Sequence, residues 1–316
     1  MKKNKKRGTG EAKPSSPPDD SPQAVIISLP RIIVTFLIAG AAIMYRLQPL
    51  WKEDPHVMDL ALWNSTVGTA GVTQVLPCSP DHKVEYTGCE AVRCGRMVLD
   101  RLVTAEEAKQ LITIAEKGMA LGGGSGGATI LDLHSGAISV GTKFADVRLL
   151  ANKNGITELF SYEDLKLYRS VKNRIQLEIE KKWKIKTGKL KLTKPTFFSR
   201  MTDKPPTTVH DEYWHVHTDT EQYDRFHYTS LLYLNTYTTD FMGGRFMFDA
   251  PGFNNTVHPK AGRVSIFTSG TENPHHVERV TSGVRYAITI PFTCDPEFAI
   301  GDPTVQLNYH DGGTHL

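Results

Sequence analysis

The chain changes its hydrophobic period once, near Thr193, and that change limits the folds open to it. Before it the signals are helical. Leu165, Tyr168, Val171, Ile175, Ile179 and Trp183 recur at steps of three and four, which gives one apolar stripe on a helix. Ser161 and Asp164 form a capping signal for its start, and Thr104 with Glu107 opens an earlier helix that runs to about Gly118. The VLDRLV run at 98–103 reads as a strand. After Thr193 come short runs rich in β-branched and aromatic residues, at 196–201, 213–217, 228–234, 245–248, 263–268 and 284–290, with Gly, Pro, Asn and Asp between them. Helices first and closely spaced strands after predict an α+β domain, an antiparallel sandwich backed by helices and closed as a jelly roll.

The amino terminus sets a compartment. Residues 24 to 45 are an apolar stretch of 22 residues, long enough to span a bilayer with Pro30 and Arg31 near one end. Arg31 can reach toward the headgroups, and Lys2, Lys3, Lys5, Lys6 and Arg7 mark the cytoplasmic side. The expectation is a single-pass type II signal anchor, with a disordered cytoplasmic tail at 1–23 and a lumenal domain in the endoplasmic reticulum or Golgi. A cleaved signal peptide fits the small residues Ala39, Gly40 and Ala41, but not the long polar leader.

Lumenal placement gives meaning to two glycosylation sequons, at Asn64 and Asn254, and to an even number of cysteines. Cys78, Cys89, Cys94 and Cys294 contain no C-x-x-C pair, so structural disulfides are expected. Spacing leaves the pairings open; Cys294 is expected to tie the end of the core to the amino-terminal cluster. Residues 46 to 95 read as a stalk and cysteine-bearing lead-in, 96 to 293 as one compact domain, and 294 to 316 as a carboxyl-terminal tail.

Charge excludes one class of partner. Residues 1 to 31 hold seven Lys and Arg against three acids, so of the chain's 37 basic and 34 acidic residues the remainder keeps 30 and 31. The folded part is near neutral, which speaks against nucleic acid. The lysines between 181 and 194 read as a solvated helix end and turn. The LGGGSGG run at 121–127 lacks the Gly-Lys-Ser/Thr ending of a phosphate-binding loop and reads as a mobile loop.

His217-Thr218-Asp219 places an imidazole and a carboxylate two positions apart, on one face if the segment is a strand. Two histidines and one carboxylate on one side of an iron(II) ion leave three positions, enough for a bidentate co-substrate and O₂. A second histidine must then come from elsewhere. His276 is followed nine residues later by Arg285, and a turn at Thr281-Ser282-Gly283 would fold the flanking strands together. His276 then completes the metal site while Arg285 pairs with a carboxylate. His210 and Glu212 form a competing pair at the end of the Pro205-Pro206 loop. His215 reads as supporting the ligands from behind or facing the substrate, His275 as structural or exposed on the face opposite His276, and His258 as a loop histidine.

These features resemble the prolyl-hydroxylase-like branch of the 2-oxoglutarate- and iron(II)-dependent oxygenases. The likeness covers roughly 97 to 293 and includes VLDRLVTAEEAKQLI, His217-x-Asp219, LLYLN, Gly243-Gly244 before a strand, and HVERVTSGVRY. It implies a double-stranded β-helix with His217, Asp219 and His276 as iron ligands. It implies Arg285, where many relatives carry lysine, as the anchor for the distal carboxylate of 2-oxoglutarate. It also implies L-ascorbate as reductant and a proline or lysine side chain of a secretory-pathway protein or peptide as substrate, with release of succinate and CO₂. The tyrosine that often assists the co-substrate is left among Tyr213, Tyr228 and Tyr233. The alternative is a catalytically inactive, membrane-anchored scaffold on the same fold.

Overall fold

The computed structural model describes residues 57–304, apart from 69, 81–84 and 251. The expected anchor at 24–45 and the tail at 1–23 lie outside the described residues, among which no helix is long and apolar enough to cross a membrane. Strands β1 (Val57–Ala61), β2 (Val72–Leu76) and β3 (Cys94–Leu99) lead into helix α1 (Ala105–Met119). Four short strands follow, β4 (Gly123–Gly124), β5 (Ala128–Leu131), β6 (Ala137–Gly141) and β7 (Lys143–Asp146), then helices α2 (Val147–Lys153) and α3 (Tyr162–Trp183). Next come β8 (Lys191–Leu192), β9 (Phe197–Met201), the one-turn helix α4 (Asp219–Gln222), β10 (Tyr228–Tyr233) and β11 (Phe241–Gly243). The chain continues through β12 (Phe246–Ala250), β13 (Phe253–Val257), β14 (Val264–Thr268), β15 (His275–Val277), β16 (Val280–Gly283) and β17 (Arg285–Thr293). Helices α1 and α3 begin where their capping residues place them. Thr104 with Glu107, and Ser161 with Asp164, exchange side-chain-to-backbone bonds that satisfy otherwise unpaired helix donors.

Two sheets make the jelly roll. The larger contains the order β14-β10-β17-β9, and the smaller the order β13-β12-β15, extended by a bridge from His217 to His275. From β9 onward the chain passes back and forth between these sheets, through His217, β10, the β12–β13 hairpin, β14, β15 and β17, while β11 and β16 pair with each other as a separate two-stranded sheet. That path is a double-stranded β-helix.

Alternation along the strands separates two apolar layers. Tyr228 and Leu232 of β10, Phe198 of β9, and Ile288 and Ile290 of β17 face the helices, packing with Leu111, Val171, Ile175 and Ile179. The intervening residues Met201, Leu231, Tyr233 and Ala287 face the second sheet and pack with Phe246, Phe248, Phe267 and Val277. Fully burying an aliphatic side chain such as Ile175 contributes about 1.5–3 kcal/mol, so the helix layer fixes the sheet whose other face carries the site.

Several segments depart from the sequence expectation. The described part of 46–95 is not a stalk: β1 pairs with β13 and β2 with β3, extending both sheets. Cys78 pairs with Cys94, and Cys89 with Cys294 at the end of β17. Beyond Cys294 the chain stays docked, with the Ile300 amide on the Leu192 carbonyl at 2.9 Å and Asp302 paired to Lys172 at 3.0 Å. The 213–217 run is not a strand; only His217 joins the sheet, by the single bridge. Thr281-Ser282-Gly283 is not a turn but part of β16, paired with β11. The glycine-rich run is ordered through β4, which pairs with β6, and Gly126 leaves room for the Asp211 carboxylate where a Cβ would collide.

Candidate active site

His217, Asp219 and His275 converge, with one ligand atom from each lying within 4.8 Å of the others. Strand pairing brings them together. The His217 amide donates to the His275 carbonyl at 3.0 Å, and the His275 amide returns the bond at 2.9 Å. Asp219 follows at the first position of α4, 7% exposed.

Each imidazole is turned by its other nitrogen. His217 Nδ1 lies 2.9 Å from the His215 carbonyl, and His275 Nδ1 lies 2.9 Å from the Asn273 carbonyl. A carbonyl only accepts, so the neutral tautomer of each ring has its proton on Nδ1 and its lone pair on Nε2, the arrangement that binds a metal. Phe246 and Phe267 flank the His275 ring at centroid distances of 5.2 and 4.9 Å. This burial pushes the His275 imidazolium down, against the opposing pull of Asp219.

The expected ligand His276 is not in this group. In the β12–β15 register, His275 pairs with Phe248 and His276 with Met247, so the two histidines leave opposite faces. Phe248 lies in the inter-sheet layer and carries His275 inward. His276 is turned away, with Nδ1 2.7 Å from Asp249 Oδ2. His275, taken from sequence as structural or exposed, is 5% exposed and belongs to the site.

Arg285 lies in the same cavity, a space of about 850 Å³ that His217, Asp219 and His275 also line. It is 1% exposed. Its Nε donates to the Gly244 carbonyl at 2.8 Å, its guanidinium carbon sits 5.6 Å from the Tyr233 ring centre, and Nη2 has no hydrogen-bond partner among the described residues. Burial pushes its pKa down, and only the Tyr233 and Tyr213 phenols oppose that. Gly244 is needed for the approach: its φ is +65°, and a Cβ there would meet Arg285 Cδ at 2.9 Å. A buried cation without a carboxylate partner calls for an anion that is not part of the protein.

The three candidate tyrosines separate cleanly. The Tyr228 hydroxyl donates to the Cys89 carbonyl on the helix side, and the Tyr233 hydroxyl pairs with Ser265 Oγ at 2.9 Å. Tyr213 lines the cavity, and its oxygen accepts the Val280 amide at 3.1 Å, which leaves its proton available to a ligand.

The competing histidines have other tasks. Glu212 lies 3.0 Å from His215 Nε2, His210 packs edge-on against Phe144, and all four residues line the mouth. Asp211 is structural: burial would raise its carboxyl, but the amides of Ala128, Thr207 and Thr208 outweigh that and hold it below the ordinary range. His258 is a loop histidine, just past β13, but a buried one, with Nε2 2.9 Å from Asp59 Oδ1 on β1. The two sequons also differ. Asn64 is exposed outside regular structure, whereas Asn254 is in β13, paired on both sides, with Thr256 of its sequon fully buried.

The profile of the 2OG-Fe(II) oxygenase superfamily matches residues 198–292. The human 2-oxoglutarate and iron-dependent oxygenase domain-containing protein 3 is 50% identical over 261 residues, covering 77% of this chain and 81% of that protein. The chain belongs to the 2OG-Fe(II) oxygenase superfamily. Human prolyl 3-hydroxylase 2 is 47% identical over 72 residues, 22% of this chain and 10% of that protein. A solved structure of a viral collagen prolyl hydroxylase from Paramecium bursaria Chlorella virus-1 is 16% identical, covering 65% of this chain and 96% of that one with a TM-score of 0.41. As a 2OG-Fe(II) oxygenase the chain is a dioxygenase that requires iron(II) and 2-oxoglutarate. The residues present fit both groups: two Nε2 atoms and a carboxylate for the metal, and an unpaired guanidinium nitrogen for the dicarboxylate.

Proposed function

We propose that this oxygenase holds iron(II) on His217, Asp219 and His275, and binds 2-oxoglutarate between that centre and Arg285. Its substrate is an uncharged side chain of a secretory-pathway protein, proline rather than lysine. The observation that carries the reading is Arg285, fully buried, with Nη2 unpartnered and in the same cavity as the three ligands. The bound iron supplies the chemistry, coupling decarboxylation of 2-oxoglutarate by O₂ to hydroxylation of the substrate.

The chain's own residues orient and exclude. Arg285 would hold the distal carboxylate, and the Tyr213 hydroxyl would donate a hydrogen bond to the same group. Phe246 and Phe267 close the inner wall against water. Proline is favoured over lysine because the carboxylates lining the cavity are already engaged. Asp219 serves the metal, Asp132 accepts from the His134 amide and the Ser135 hydroxyl, and Glu212 pairs with His215. None of them is left for an ammonium, while Phe197, Ile130 and Pro195 offer apolar walls. Val209 and Val216, 79% and 55% exposed at the rim, extend that surface toward a polypeptide. The apolar stretch at 24–45 anchors the enzyme, Asn64 carries the glycan, and ascorbate keeps the iron ferrous.

Full-length enzyme in detergent with iron(II) and ascorbate is expected to release succinate slowly from 2-oxoglutarate alone, and faster with proline-containing peptides than with lysine-containing ones. His275→Ala abolishes the turnover and the metal binding, whereas His276→Ala keeps both. The opposite result for the two histidines sinks the ligand assignment. Bound iron and 2-oxoglutarate without succinate would restore the scaffold alternative.

A further inference from the structure

One pair of hydroxyls behind the metal ligands has no role in the reading above. Thr229 on β10 is 3% exposed, and its Oγ1 donates to Asp219 Oδ2. Ser269, just past β14 and 2% exposed, places its Oγ 2.9 Å from the same Thr229 oxygen. The proton directions follow from the chemistry. A carboxylate ligand is ionised and only accepts, so the Thr229 proton points at Asp219. Thr229 Oγ1 then accepts, and the Ser269 proton points at Thr229. Ser269 is itself fixed by the backbone, its amide on the His227 carbonyl at 3.1 Å and its carbonyl receiving the Thr220 amide at 3.2 Å.

The two oxygens of Asp219 therefore differ. Oδ1 faces the ligand group, 3.6 Å from His275 Nε2, while Oδ2 is occupied by Thr229. We propose that Thr229, aimed by Ser269, is a positioning residue that confines Asp219 to ligation through one oxygen. The proposal rests on His217, Asp219 and His275 being the iron ligands. Its consequence is a position count. Three protein atoms leave three of six positions, two for 2-oxoglutarate and one for O₂. A chelating Asp219 would take one of those three, and the co-substrate or O₂ would be displaced.

Thr229→Val keeps the shape and removes the donor, and Thr229→Ser restores it. Full-length protein loaded with Co(II) in place of iron reports coordination by its visible absorption, with no turnover needed. Thr229→Val is expected to shift and weaken that absorption while keeping the metal, and to bind 2-oxoglutarate about ten-fold more weakly, the equivalent of ~1.4 kcal/mol. Thr229→Ser returns both to wild type. Ser269→Ala moves both in the same direction by less, and decides the matter if Thr229→Val does not fold. A Thr229→Val or Ser269→Ala protein with the wild-type spectrum and wild-type co-substrate affinity overturns the proposal. Failure of the underlying assignment looks different: wild-type protein then takes up no Co(II), or His217→Ala binds it equally well.

Discussion

Arg263 and Arg285 are both buried, 0% and 1% exposed, and both stand at the start of strands in the larger sheet. Arg263 precedes β14 and uses its whole donor fork. Nε and Nη2 hold the Asp100 carboxylate at 2.7 and 2.9 Å, Nη1 reaches the carbonyls of Ala61, Leu62 and His258, and Nη2 also reaches Ser65. Arg285 opens β17 with no carboxylate, one backbone acceptor and an unpartnered Nη2. Burial is the same, so burial does not tell structure from function; the completeness of the partners does. Arg263 clamps the 61–65 segment to the sheet, whereas Arg285 keeps a donor free in the cavity. The neighbouring histidines repeat the contrast, His276 paired with Asp249 and His275 presenting Nε2 to the site.

The largest effect should come from breaking the complete partner set. Arg263→Met leaves Asp100 buried without its cation and is expected to cost about 3–5 kcal/mol, the usual loss when one member of a buried pair is removed. Denaturant unfolding with disulfides intact checks this. A loss no larger than that of an exposed substitution would mean that the pair does not hold the amino-terminal segment.

Arg285→Met should invert the pattern. Stability changes by less than ~1 kcal/mol or rises, because the removed charge had no ionic partner. Affinity for 2-oxoglutarate should fall by about 2–5 kcal/mol, roughly thirty-fold or more. Calorimetry on Mn(II)-loaded protein measures the second quantity and thermal unfolding the first. Equal co-substrate affinity in variant and wild type would remove Arg285 from the site.

The smallest effect is in pH. Burial raises the Asp100 carboxyl, but Arg263 and the Val67 amide outweigh it and hold it below the ordinary carboxylate value. A folded pKa lowered in this way contributes stability that is fully present above about pH 4, the unfolded value, and is lost as pH falls through the folded one. Acid should therefore weaken the Arg263 clamp, and Asp100→Asn should flatten that part of the stability profile. Arg285→Met should leave the acid limb unchanged, because no carboxylate is tied to it.

Residue pattern alone carried the helix layer, through the stripe from Leu165 to Trp183 and the two capping boxes, since helix periodicity and caps are local properties. It pointed to His217, Asp219 and Arg285, which line one cavity, because a His-x-Asp pair and an arginine at the start of a β run are local too. The link from Cys294 to the amino-terminal cluster stands apart, because cysteine spacing leaves the pairings open and the two ends are 205 residues apart. Thr229 and Ser269 gave no such signal: they lie 40 residues apart and look like ordinary strand-and-turn hydroxyls. Tyr213, Tyr228 and Tyr233 could not be told apart until the partners of their hydroxyls were known.

The third ligand shows where local reading ends. His275 and His276 are adjacent and chemically identical, and in a strand successive side chains leave opposite faces, so a shift of one residue exchanges them. The order of residues determined that one histidine of this pair would face the cavity and the other would not. Only the pairing of β15, with Phe248 opposite His275 and the bridge to His217, decided that it is His275.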